Sequence, residues 1–186
     1  FNVVDFANTI MGKGDIVQIM RSYLRKLMEA TGVTVHFVER DGIDAVYIDK
    51  VESLSNGIQM VSRIGSRIPL YCSGVGKAMV AEMDEWEIEE IWNNSEIIRL
   101  TPYTITDHDD FKMELDEIRR RGYALDNEEN ETGVRCIACS LKEPAGGARH
   151  AFSISAPVSR MDNDRIRELA DSVLKVREEI AEKLRS

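Results

Sequence analysis

The sequence predicts an α+β domain in which helices flank a curved antiparallel sheet. Helical periodicity dominates both ends of the chain, and strand-like segments lie together in groups separated by further helices. Short turns join the strands within each group, which implies antiparallel pairing and therefore an α+β rather than a parallel α/β fold. We expect the helices to cover one face of the sheet and the other face to line a pocket.

The first elements follow from local signals. Residues 1–13 are weakly patterned and look like a tether, so we assign the domain itself to residues 14–186. Asp15 is predicted to begin a helix that Gly32 ends. A hairpin follows, joined at Asp41-Gly42, because this dipeptide favours a turn that needs positive φ. The predicted elements of this part are a helix over 15–31 and strands over 33–39, 43–51 and 58–64.

The second part of the chain alternates helices and strands in the same way. Arginines fill the last turn before Gly122, where cations suit the helix dipole and glycine ends the helix. The predicted elements are a loop leading into a short helix over 70–82, helices over 85–92 and 109–121, strands over 123–128, 134–141 and 149–157, and a final amphipathic helix over 162–184.

Composition narrows the function. The chain has 186 residues, a formal charge of −9, 43% hydrophobic and 31% charged residues, which is ordinary for one soluble domain. Lys and Arg are interleaved with acids instead of clustered, so direct binding of DNA by this segment is not expected. No apolar run is long enough to span a membrane. Three cysteines cannot pair evenly, and we expect a reduced, cytoplasmic protein without a cofactor.

Strand alternation places several small polar residues on one face of the sheet. Cys136 on one strand and Ser153 and Ser155 on the next are predicted to point away from the apolar face that carries Ile137 and Ile154. Small polar groups on an otherwise apolar wall can orient a ligand. The alternative is that the serines are hydrogen-bonded core residues.

The segment from Ile68 to Ala78 carries glycines where an extended stretch becomes a helix. The first amides of such a helix have no internal acceptor, so a carboxylate near Gly74 would gain charge-assisted hydrogen bonds. The pattern is not a phosphate-binding P-loop, because only Val75 separates Gly74 from Gly76 and Ala78 replaces the required Ser or Thr. A tight helix start without a ligand is the alternative.

Three stretches in order resemble the effector-binding domain of IclR-type transcriptional regulators. The similarity covers the chain from about Gly14. The stretches are Ile64 to Lys77, Arg121 to Glu129 followed by Gly133 to Ala138, and Phe152 to Pro157 followed by Ser159-Arg160.

The resemblance implies a sheet-and-helix domain related to the GAF and PAS sensor folds. It also implies a winged helix-turn-helix domain N-terminal to this one, so that residues 1–13 would be the tether from a DNA-binding domain outside this chain. The family acts on DNA as homodimers or homotetramers, and small keto, sugar or aromatic acids set its activity. DNA binding would thus belong only to the other domain, and no membrane is involved.

The resemblance also transfers a set of ligand-binding positions. Ligand oxygens would meet the backbone amides of Gly74 and Val75. The remaining positions are the polar side chains of Asp126, Cys136, Ser153 and Ser155 and the apolar side chains of Met60, Ile68 and Val134.

The residue types suggest how an acid would lie in this pocket. An ionised Asp126 would repel a carboxylate beside it by several kcal/mol at low effective dielectric. We therefore expect the acid end of the ligand near Gly74 and a hydrogen-bond donor near Asp126, which accepts a bond from a hydroxyl or a water.

Three other functions compete with a sensor. An enzyme could use Cys136 as nucleophile with His36, His108 or His150 as base, but nothing in the sequence brings a histidine beside it. Asp126, Cys136 and the serines could hold a metal, although they lack histidine and the usual four strong ligands. A ligand-independent oligomerisation module would use the apolar faces of the first and last helices. We predict a sensor that is not an enzyme and holds no metal.

Overall fold

The computed structural model describes residues 3–53, 62–142 and 147–185, and the side chains of these ranges from residue 16 to residue 184. The strands pair antiparallel in one curved sheet of order β3-β2-β1-β6-β5-β4, which confirms the predicted fold class. The strands are β1 Thr34–Asp41, β2 Asp44–Val51, β3 Arg67–Pro69, β4 Ala124–Asn127, β5 Val134–Lys142 and β6 Ala148–Pro157. The helices are α1 Val3–Thr31, α2 Gly74–Val80, α3 Glu85–Asn94, α4 His108–Arg121 and α5 Asn163–Arg185, with a short 3-10 turn at Val158–Arg160.

Helix α1 begins twelve residues before the predicted start. It runs from Val3, so Asp15 lies inside the helix and does not cap it, and residues 3–13 are helical where an irregular tether was predicted. Gly12 and Gly14 account for the error, because each glycine costs about 1 kcal/mol in a helix interior and indicated a break. That these residues lead to another domain stays a prediction.

The first hairpin is confirmed with a turn one residue later than predicted. Asp41 pairs with Asp44, so Gly42 and Ile43 form the turn, and Gly42 supplies the left-handed backbone at φ 67°. The third strand was placed wrongly in part. Residues 62–64 are not in a strand, 58–61 lie outside the described residues, and the strand that pairs with β2 is the three-residue β3.

Helices cover both faces of the sheet, contrary to the prediction that one face stays free of them. Helices α1 and α5 pack on the face that carries Phe37, Ile137 and Ile154. On the opposite face, apolar residues from α2, α3 and α4 form a second core with Val38 and Ala138. The sequence did not show this, because α2 is only seven residues long and entirely buried, so it has no amphipathic periodicity.

Close backbone contact fixes the position of α2. A Cβ atom added to Gly76 would lie 2.3 Å from the Cα atom and the carbonyl oxygen of Leu70, so only glycine fits there. The Ser73 side chain caps the helix by accepting a hydrogen bond from the Gly76 amide at 3.1 Å and donates one to the Pro69 carbonyl at 2.6 Å. The helix start is therefore held rigidly above β4, β5 and β6, with which α2 is in contact.

Over the described ranges, no helix combines the length and the apolar character needed to cross a membrane.

Candidate functional site

The sheet brings three of the predicted polar residues into one row. Asp126 of β4 lies opposite Cys136 of β5, which lies opposite Ser155 of β6, and the Ser155 hydroxyl donates to the Cys136 sulfur at 3.1 Å. Ser153 lies opposite Ala138 in the neighbouring row of the same face. Asp126, Ser153 and Ser155 are buried and Cys136 is half-buried. The structure thus assembles the predicted polar wall beneath α2.

The start of α2 adjoins this wall. Helix geometry leaves the amides of Gly74 and Val75 without intrahelical acceptors, whereas Ser73 satisfies the amide of Gly76. A Cβ atom added to Gly74 would lie 3.4 Å from the Cβ of Asp126 and 3.4 Å from that of Ala138. The amides of Gly74 and Val75 and the Asp126 carboxyl are therefore neighbours. They lie closer together than they would if they bound the two opposite ends of a ligand.

Burial and a second acid govern the protonation of Asp126. Its side chain is 3% exposed. Desolvation and the Glu129 carboxylate raise the pKa of the Asp126 carboxyl, Lys77 and backbone amides oppose the rise, and the resulting pKa is about 7. The Asp126 carboxyl thus titrates near neutral pH, where a small change in its surroundings alters its charge.

Hydrogen bonds within and around the turn at residues 126–129 hold Asp126 in place. The Asp126 Oδ1 atom accepts a hydrogen bond from the Glu129 amide at 2.8 Å. The hydroxyls of Thr101 and Thr104, from the connection between α3 and α4, donate to the carbonyls of Glu128 and Glu129 at 2.6 Å each. Glu128 has a positive φ of 65°, which is uncommon for a residue with a side chain. These bonds preserve that conformation and with it the orientation of the Asp126 carboxyl.

A buried lysine joins α2 to the same turn. The Lys77 ammonium is fully buried and donates to the Leu125 carbonyl at 2.8 Å, to Glu129 at 2.5 Å and to Glu114 of α4 at 3.3 Å. All three of its protons are used, so it does not serve a phosphate as a P-loop lysine does. The sequence does not indicate this role, because ion-pair partners 37 and 52 residues away leave no local pattern.

His36 was also missed as a member of the polar wall. It is 2% exposed on β1, where its Nδ1 atom lies 3.3 Å from the Ser155 hydroxyl and its Nε2 atom lies 2.7 Å from the Ser62 hydroxyl. Desolvation, together with the nearby Lys50 charge, lowers the pKa of His36 to about 3, so the imidazole is neutral. Its position between the apolar residues Val35 and Phe37 could have indicated the polar face by alternation.

The cysteines lack the features of a nucleophile. Desolvation and the Asp126 charge raise the pKa of the Cys136 thiol well above its ordinary value, so the reactive thiolate is disfavoured. Cys139 packs in the core on the opposite face of the sheet, as the alternation predicts for this C-x-x-C pair. Although His36 reaches Cys136 through Ser155, the thiol has no nearby cation that would activate it among the described contacts.

The apolar positions are only partly described. Ile68 is buried in the core beneath α2, and Val134 is half-buried at the start of β5, on the face of Cys136. Met60 lies outside the described residues. In the described part of the chain, no group of three or more His, Cys, Asp or Glu side chains is arranged to hold a metal ion.

Comparisons with known proteins show to which protein family this chain belongs. The family model for the bacterial transcriptional regulator IclR C-terminal domain matches residues 8–182. The transcriptional repressor AllR of Klebsiella pneumoniae is 37% identical over 151 residues, which cover 81% of this chain and 55% of that protein. The chain thus spans just over half the length of the curated relatives it matches.

Solved structures agree with the sequence comparison. IclR of Thermotoga maritima superposes with a TM-score of 0.88 at 37% identity, covering 98% of this chain and 73% of that one. The inducer-binding domain of a PobR double mutant from Acinetobacter, in complex with 3-hydroxybenzoic acid, superposes with a TM-score of 0.78 at 27% identity, covering 88% of this chain and 96% of that one. These relatives are transcription regulators and not enzymes, as the sequence predicts. The chain belongs to the IclR family of bacterial transcription regulators, of which it is the C-terminal, effector-binding domain.

Proposed function

We propose that this domain senses a small keto, sugar or aromatic acid on behalf of a longer transcription regulator. The observation that carries the proposal is the pair of amides at Gly74 and Val75, which lack intrahelical acceptors and adjoin a buried, titratable carboxyl. One oxygen-rich ligand could engage both groups. The related PobR domain holds 3-hydroxybenzoic acid, which carries a carboxyl group and a hydroxyl group.

The ligand would be oriented by the whole polar wall. Its carboxylate would accept hydrogen bonds from the amides of Gly74 and Val75, where the positive end of the α2 dipole also favours an anion. Ser153, Ser155 and the Cys136 thiol would contact the remaining oxygens. Met60, Ile68 and Val134 would surround the apolar part of the ligand.

The proximity of Gly74 to Asp126 sharpens the predicted orientation. Two like charges 4 Å apart repel by about 4 kcal/mol at an effective dielectric of 20. An acid seated at Gly74 therefore binds best when Asp126 is protonated or when a ligand hydroxyl lies between the two groups. In both cases Asp126 makes the affinity depend on the hydrogen-bonding groups of the ligand, which a purely apolar pocket could not do.

Regulation would follow from a change in assembly. We propose that the cytoplasmic protein forms homodimers or homotetramers and that a winged helix-turn-helix domain, joined through the start of α1, contacts DNA. The ligand would shift an existing equilibrium between two arrangements of subunits. That shift cannot exceed the difference in ligand affinity between the two arrangements.

Calorimetry of this domain with pyruvate, D-gluconate and 3-hydroxybenzoate tests the proposal. We expect heat of binding with at least one of these acids, and weaker binding by Asp126→Ala. Arg149→Ala, on an exposed side chain of β6, is the control and should leave the affinity unchanged. If none of the acids gives heat or raises the melting temperature, the ligand class is wrong. If Asp126→Ala binds as tightly as the parent, the role of Asp126 is wrong.

A further inference from the structure

We infer that His36 is a positioning residue of the effector site, which orients the hydroxyl of Ser155 and the thiol of Cys136 so that this wall offers a proton to a ligand oxygen. The inference rests on the proposed function, because it concerns the same pocket. His36 is not among the ligand-binding positions that the family resemblance supplies.

The geometry is a chain of hydrogen bonds across three strands and the segment before β3. The Ser62 hydroxyl lies 2.7 Å from the imidazole Nε2 atom, the Nδ1 atom lies 3.3 Å from the Ser155 hydroxyl, and that hydroxyl lies 3.1 Å from the Cys136 sulfur. A neutral imidazole has one donor and one acceptor nitrogen. The tautomer of His36 therefore decides in which direction every bond of the chain runs.

The neighbouring carboxyl favours one direction. Asp126 lies opposite Cys136 in the β4–β5 pair, and its carboxyl offers the thiol proton an acceptor oxygen in either protonation state. With its own proton turned to Asp126 or to a ligand, the Cys136 sulfur accepts a bond from Ser155. Ser155 in turn accepts from His36 Nδ1–H, and His36 Nε2 accepts from Ser62. Nδ1–H is therefore the tautomer that the arrangement requires.

Neighbouring groups keep the imidazole neutral and fixed. The Lys50 ammonium donates to the Ser62 carbonyl at 2.9 Å and pairs with Glu52, and its charge opposes a second proton on His36. The ring of Tyr47 packs edge-on against His36, with 5.2 Å between the ring centroids. A second proton on His36 would sit on Nε2 and make it a donor, so the Ser62 hydroxyl could no longer donate to the imidazole.

The consequence is selectivity for ligands that present an oxygen acceptor to the Cys136 thiol, because the one proton of the Ser155 hydroxyl is donated to the Cys136 sulfur. A carbonyl or carboxylate oxygen meets this requirement. Removal of the imidazole frees Ser155 to rotate, and the affinity for such an acid should fall roughly three- to tenfold, the usual effect of one lost hydrogen bond.

Nitrogen NMR of the domain with ¹⁵N-labelled histidine tests the direction directly. The chain contains three histidines, so the spectrum is simple and His36→Phe and His150→Phe assign it. We expect the Nδ1–H tautomer for His36, unchanged between pH 5 and pH 8. An Nε2–H tautomer would overturn the inference without reference to any ligand.

Affinity measurements separate the inference from the proposed function. His36→Phe and His36→Gln are compared with His150→Phe, whose ring stacks on Phe37 on the opposite face of the sheet. For any of the three acids that binds the parent, His36→Phe should weaken binding, His36→Gln should restore part of it, and His150→Phe should have no effect. Equal affinity in His36→Phe and the parent overturns the inference while the sensor function stands. Absence of binding in the parent overturns the acid-sensing function, and the tautomer still decides the role of His36.

Discussion

Replacement of Lys77 by methionine should destabilise the domain strongly, because it leaves a buried acid without its cation. Glu129 is buried, and its only described cationic partner is the Lys77 ammonium at 2.5 Å. Removal of one member of a buried pair typically costs about 3–5 kcal/mol. For a domain of this size each kcal/mol lowers the melting temperature by about 2–4 °C, so we expect a loss of roughly 6–20 °C.

The loss should depend on pH in a defined direction. Burial raises the pKa of Glu129, and the Lys77 charge opposes that rise. Without Lys77 the folded state holds the Glu129 proton more tightly than the unfolded chain does, so the penalty is small near pH 4 and grows as the pH rises. Urea denaturation of Lys77→Met at pH 5 and pH 8 should show the larger loss at pH 8.

Two further variants make the reasoning refutable. Combining Lys77→Met with Glu129→Met removes both charges and should recover most of the lost free energy of unfolding. Lys112→Met is the matched control, since Lys112 pairs with Glu85 and Glu89 on the surface and such pairs contribute about 0–1 kcal/mol. If Lys77→Met costs no more than Lys112→Met at pH 8, or if the double variant is no more stable than the single one, the explanation is wrong.

Three other predictions concern the same face of the sheet. Gly76→Ala should cost about 1–3 kcal/mol or more by urea denaturation, because its Cβ meets the Leu70 backbone at 2.3 Å, whereas Gly74→Ala should cost less. Asp126 holds its proton more tightly when folded, so its contribution to stability is complete below pH 3.8 and lost as pH rises to about 7; Asp126→Asn should flatten this pH dependence. Cys136 should resist iodoacetamide at pH 8 until urea unfolds the domain; rapid labelling of the folded protein would refute this.

Periodicity and family motifs predicted most of the fold and most of the polar wall. The row of Asp126, Cys136 and Ser155 needed only strand alternation, the resemblance and antiparallel pairing, all of which are visible in the sequence. The second helical layer was not predictable in this way. Helix α2 is buried on every side, so its position depends on the fit of Gly76 against Leu70, a contact between atoms and not a pattern of residue types.

Long-range polar contacts were also not predictable from the sequence. In the sequence, Lys77 resembles the lysine of an anion-binding motif. In the structure it instead forms ion pairs with Glu114 and Glu129. His36 reads as an isolated histidine, and only the pairing of β1 with β6 brings it to Ser155. Both roles depend on strand order and helix packing, which a single sequence does not specify.

The ends of the sheet constrain how copies of the domain can meet. Among the strands that the structure describes, the outermost are β3, with three residues and a proline that has no amide proton, and β4, with four residues. Such short edge strands offer few free backbone groups to a strand of another molecule, and proteins commonly prevent edge-to-edge aggregation in this way. The long strand β6 lies between β1 and β5, and β4 covers Arg135 to Ala138 of β5. Self-association by strand addition to β3 or β4 is therefore disfavoured, and we expect any contact between copies of the domain to use side chains on helices and loops.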